Sequence, residues 1–159
     1  GLVPEPGSVV INEVLANSAG SGPDWIELFN TTAQAIDIGG WFLSDDSNDL
    51  TKYRIAGGTI IPAGGYIVFG ETEHFGNSAD PGCKTPFGLS KDGETVYLHS
   101  GLDGGLTGYS EKQKFGAAEP GVTWGRTANG KGGYVFVPLE KPTPGGDNAP
   151  PRIGSVLSN

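Results

Sequence analysis

The chain has 159 residues, 18 acidic against 10 basic side chains for a formal charge of −8, with 28 Gly and 12 Pro. That length suits one domain, and Leu, Ile, Val and Phe at about 23% exceed the ~20% below which chains fail to bury a core. The charge disfavours nonspecific adhesion to nucleic acid or anionic membrane, which needs clustered Lys and Arg. No apolar run approaches the ~20 residues of a membrane span. The single Cys83 excludes an internal disulfide and a Cys-based zinc cluster.

Gly and Pro interrupt the chain too often for long helices, and short β-branched and aromatic runs recur between them. Residues 1–7, with two Pro, read as a lead-in. Strands are expected near Val9–Leu15, Trp25–Phe29, Trp41–Leu43, Lys52–Ile55, Tyr66–Phe69, Thr95–His99, Lys112–Phe115, Val122–Gly125 and Tyr134–Val137. Turn signals separate them, and Asp92-Gly93 and Asn129-Gly130 are the hairpin candidates because such turns need positive φ. Eight to nine short strands with this spacing indicate an all-β sandwich or barrel. Pro142–Pro151 holds four Pro and two Gly and reads as an extended linker. Residues 144–159 are thus expected to carry that linker and the start of a next module.

Several blocks together resemble the lamin tail domain in its bacterial form. They are Ile11-Asn12-Glu13-Val14, then Asp24-Trp25-Ile26-Glu27-Leu28-Phe29-Asn30, and Gly40-Trp41-Phe42-Leu43-Ser44-Asp45. Ile61-Pro62-Ala63-Gly64-Gly65-Tyr66, Phe87-Gly88-Leu89-Ser90 and Gly93-Glu94-Thr95-Val96-Tyr97-Leu98 follow, then Trp124-Gly125-Arg126 and Gly133-Tyr134. The match spans roughly residues 8–143. The resemblance implies an immunoglobulin-like β-sandwich without known catalysis that serves as an interaction surface. It also implies a module of exported or surface bacterial proteins.

The candidate chemistry lies in the acids. Strand alternation puts Glu13 with Ile11 and Leu15, and Glu27 with Trp25 and Phe29. If those faces point inward, each carboxylate needs hydrogen bonds, a cation or a raised pKa. One reading is a calcium site from Glu13 and Glu27 helped by Asp24 or Asn12; the other is that each accepts backbone N–H bonds, or that the apolar face is the outer one. Asp45-Asp46-Ser47-Asn48-Asp49 starts like a calcium loop, but an EF-hand counted from Asp45 has Leu50 and Ala56 where Gly and an acid belong. A solvated turn is the simpler reading.

Gly125–Lys131 nearly spells a phosphate loop, yet Gly132 replaces the required hydroxyl and a strand follows instead of a helix. His74, His99, Ser90 and Cys83 show no catalytic spacing. Asn30-Thr31-Thr32 fits a glycosylation sequon but reads as a turn in a bacterial chain. Trp25, Trp41 and Trp124 are expected in the core, and Tyr109 is the candidate for an exposed, sugar-stacking ring.

The leading expectation is a non-catalytic module with a protein or surface partner, no required cofactor, and a secreted or cell-surface location taken from the resemblance. Structural calcium binding through Glu13, Asp24, Glu27, Asp45 and Asp49 is the alternative. A metal-dependent hydrolase or nuclease built on the Glu13/Glu27 pair comes third, because Lys and Arg are sparse and one strand face offers no cleft.

Overall fold

The computed structural model describes residues 3–20 and 22–153. Its strands are β1 Val9–Leu15, β2 Trp25–Asn30, β3 Ile36–Asp37, β4 Phe42–Ser44, β5 Tyr53–Arg54 and β6 Ile60–Ile61. They continue with β7 Tyr66–Gly70, β8 Glu94–Leu102, β9 Gly105–Phe115, β10 Trp124–Ala128 and β11 Tyr134–Pro138. A five-residue helical turn, Glu71–Phe75, follows β7. Eleven strands exceed the expected eight to nine because β3 and β6 hold two residues each. That is too short for alternation to register.

Three antiparallel units result. One sheet runs β11-β10-β1-β2-β7, the second runs β5-β4-β8-β9, and β3 and β6 form a small ribbon. The two larger sheets face each other across one apolar cluster, in which Val9, Ile11, Val14, Ile26 and Leu28 meet Leu43, Val96, Leu98 and Phe115. Alternation decides which residues enter it, since successive side chains of a strand point to opposite faces.

β8 and β9 form the longest pairing, closed by Asp103-Gly104 with φ of 53° and 86°. Positive φ at both central residues is the two-residue turn that matches strand twist. The hairpin expected at Asp92-Gly93 is instead a tight turn leading into β8, where the Gly93 N–H donates to the Ser90 carbonyl. Asn129-Gly130 does lie in a hairpin, between β10 and β11, and its Asn129 carboxamide oxygen accepts from the Lys131 and Gly133 amides. The near-phosphate loop is therefore a strand and its hairpin.

Two aromatic expectations need correction. Tyr109 is buried, its ring tilted against Trp41 with centroids 5.0 Å apart. Its hydroxyl donates to the Val9 carbonyl at 2.6 Å and accepts from the Val9 N–H at 2.9 Å, so it ties the two sheets together. The Gly-rich stretch before it belongs to the paired strands β8 and β9 and the turn that joins them. Trp41 is in the core and Trp124 packs against it, whereas Trp25 is half-buried on the outer face of its sheet.

Tyr109→Phe should leave a buried backbone donor and acceptor unpaired. The expected loss is about 1–3 kcal/mol, read from urea unfolding; an unchanged midpoint would remove this tie from the account.

Candidate functional site

Glu13 and Glu27 are direct cross-strand partners of β1 and β2, and each is 0% exposed. The pairing register shifts between Ile11 and Glu13, so Asn12 is an extra residue in β1. Such a bulge reverses the alternation beyond it. Ile11 and Val14 therefore both enter the core, and Glu13 turns away from Ile11, contrary to the unbroken alternation expected from sequence. Glu27 keeps its expected company with Trp25 and Phe29, but Ile26 and Leu28 on the other face are the core residues. Both carboxylates thus lie on the outer face of the five-stranded sheet.

What buries them is the segment that reads as a linker. Residues 142–151 lie back along this outer face, anchored where Leu139 bridges Pro151 and the Glu140 N–H donates to the Pro150 carbonyl. Within it Thr143-Pro144-Gly145-Gly146 closes a turn, with the Gly146 N–H donating to the Thr143 carbonyl and Gly145 at φ 85°. Pro at the second position and a positive-φ Gly at the third define a type II turn. Its inward donors meet the acids. The Thr143 amide and hydroxyl donate to the two oxygens of Glu13, each at 2.9 Å. The Gly145 amide donates to Glu27 Oε2 at 2.6 Å.

The bulge residue completes the network. Asn12 Nδ2 donates to Glu27 Oε1 and to Asn148 Oδ1, both at 2.9 Å. Asn148 Nδ2 in turn donates to the Asn12 and Arg126 carbonyls. At the β7 side the Tyr66 hydroxyl donates to Asp147 at 2.8 Å. Gly125, opposite Glu13 on β10, has no room for a larger residue, since a Cβ there would collide with Leu139 and crowd Asn148. Thr143, Gly145 and Asn148 are the participants that sequence reasoning missed, although Thr-Pro-Gly-Gly was a readable turn signal.

Burial pushes the Glu27 carboxyl up to about 7, opposed by the Gly145 and Asn12 N–H donors and reinforced by the neighbouring Glu13 charge. Neither glutamate takes part in an ion pair among the described residues. The geometry suits retention of a peptide segment. Both acids are covered, so they do not line the open cleft that metal-assisted hydrolysis requires.

The other candidate ligands stand elsewhere. Asp24, at the start of β2, accepts from the Leu89 N–H at 2.9 Å, and burial raises its pKa. Asp45 pairs with Lys52 at 2.8 Å and Asp49 with Lys84 at 3.3 Å. Among the described residues no group of three His, Cys, Asp or Glu side chains is placed to hold a metal. Asn30, the sequon residue, is fully buried and its carboxamide nitrogen donates to the Gln34 and Ile61 carbonyls, so it is closed to glycosylation.

Because the paired carboxylates already accept N–H and O–H donors, millimolar calcium in place of EDTA should leave the melting temperature unchanged. A ligand preferring the native state must raise it, so an upward shift would show a cation site that these bonds do not describe.

A model of the Lamin Tail Domain family matches residues 3–110, which is 108 of the 159 residues. Searches of curated proteins and of solved structures return no match. The matched span ends inside β9, while β10 beyond it pairs directly with β1. The chain belongs to the Lamin Tail Domain family and has its immunoglobulin-like β-sandwich fold.

Proposed function

We propose that this chain is a non-catalytic interaction module of a larger exported bacterial protein, and that it takes a protein partner along the outer edge of β11. The observation that carries the reading is the chemistry of that edge. β11 ends the five-stranded sheet and its Tyr134-Val135-Phe136-Val137 run carries no charge. Tyr134 is 58% and Val135 39% exposed. At Pro138 the Arg152 N–H already donates to the strand's carbonyl, and over Tyr134–Phe136 the uncharged, apolar end strand offers its edge as a template for a further strand.

Two other end strands contrast with it. β9 ends the second sheet but carries Glu111, Lys112 and Lys114 along its length, and such charges discourage edge pairing. β7, at the far end of the first sheet, is also uncharged, but none of its residues is exposed to the degree of Tyr134. The Arg126 guanidinium sits 3.4 Å from the centroid of the Tyr134 ring and stacks on it. A pre-set ring lowers the ordering cost of binding. Family membership supports an interaction role, and the covered glutamates support binding over catalysis.

A random-peptide display selection tests the site without a known partner. The proposal expects enriched β-branched, extended peptides that lose binding to a Val135→Lys bait and keep it to a Lys112→Glu bait. Peptides that bind the Val135→Lys bait equally well would overturn the placement, and saturable turnover of a substrate would overturn the non-catalytic reading.

A further inference from the structure

We propose that residues 142–150 are a releasable strap, and that the protonation state of the buried Glu27, which stands opposite Glu13, controls how firmly it sits on the outer face of the sheet. The proposal concerns the β10-β1-β2-β7 face and is independent of the β11 edge. Its basis is geometric. Two carboxylates stand opposite each other, and among the described residues no cationic side chain is bonded to either. The donors that reach them from outside the sheet are the Thr143 amide and hydroxyl and the Gly145 amide. Lifting the strap would expose both acids to water, and seating it withdraws both.

The groups facing the pair are few. β1 contributes Glu13 and the neutral Asn12, and β7 contributes Tyr66, whose hydroxyl is held by Asp147 of the strap. β10 presents Gly125 and the Arg126 carbonyl, while the Arg126 side chain lies on Tyr134. Asp147 of the strap thus adds a further negative charge on this side. A second ionised carboxylate under the strap meets only repulsion and desolvation, against two N–H bonds.

The direction follows from linkage. Glu27 titrates near 7 with the strap seated and near the ordinary value of about 4.3 once hydrated. A group whose pKa is raised in the closed form favours that form below its open-form value and loses this support as pH rises through the closed-form value. The strap is therefore held most firmly in acid, loosens between about pH 4.5 and 7, and shows no further change from this group above that range.

Amide hydrogen exchange, expressed as protection factors so that intrinsic pH dependence cancels, reads the device directly. Between pH 5.5 and 8.5 the Thr143 and Gly145 amides should lose protection by about tenfold or more, levelling off above pH 7, and at every pH they should exchange faster than Leu28 and Leu98, whose amides open only with the whole sheet. In Glu27→Gln the strap amides should hold constant protection over the range. Strap amides as strongly protected as Leu28 and Leu98 at every pH would overturn the proposal, as would a fall that persists in Glu27→Gln. Should that variant not fold, the wild-type profile decides: a plateau above pH 7 supports the strap, and a fall that continues to pH 8.5 refutes it.

Discussion

Two acids facing each other across neighbouring strands, with no basic side chain paired to either among the described residues, impose a demand on the rest of this domain. Glu13 and Glu27 are fully buried, and a buried charge must be hydrogen-bonded or neutralised. The structure meets the demand with one inserted residue and one turn. The Asn12 bulge moves Glu13 out of the core and aims a carboxamide at Glu27. The Thr143–Gly146 turn then delivers amide donors from the opposite side. Remove the bulge, and Glu13 would point among Val96, Leu98 and their neighbours with nothing to accept from.

This arrangement separates the two faces of the larger sheet by task. Its inner face is apolar and joins the second sheet, with Tyr109 bonded across to Val9. Its outer face is polar, aromatic and dependent on a segment from the far end of the chain. A helix or a third sheet could have covered it, but ten residues rich in Pro and Gly do so instead. Pro lowers the entropy lost on ordering such a segment, and Gly145 supplies the one backbone conformation that other residues resist. The edges then divide in a similar way, charged along β9 and apolar along β11.

Much of this was legible from the residues. The β1, β2, β7, β10 and β11 strands follow from β-branched and aromatic runs bounded by turns, and the family match covers the blocks on β1, β2 and β7 but ends at residue 110, before those on β10 and β11. The glutamates were legible as acids needing partners. Their orientation was not, because a bulge leaves no fixed mark in composition and Asn12 looks like any strand-edge residue. Tyr109 was misplaced for a related reason: Gly104, Gly105 and Gly108 suggest a loop, whereas the Asp103-Gly104 turn makes them part of a hairpin. The strap was hidden by its own composition. Pro and Gly describe a free linker and a docked segment equally well, and only the long-range bonds to Glu13 and Glu27 distinguish them. Residues 154–159, expected to begin a next module, and residues 1–2 of the lead-in lie outside the described residues.

The central claim is that Glu27 is buried at a cost its neighbours only partly offset. The direct measurement is the unfolding free energy of the wild type minus that of Glu27→Gln, taken from pH 4.5 to 8.5. A raised folded-state pKa contributes stability that is present in acid and lost as pH rises through about 7. The account therefore predicts a difference that shifts against the wild type as pH climbs to 7 and then stays level. A difference that is flat across the range would mean that Glu27 titrates alike in folded and unfolded chains, and would contradict it.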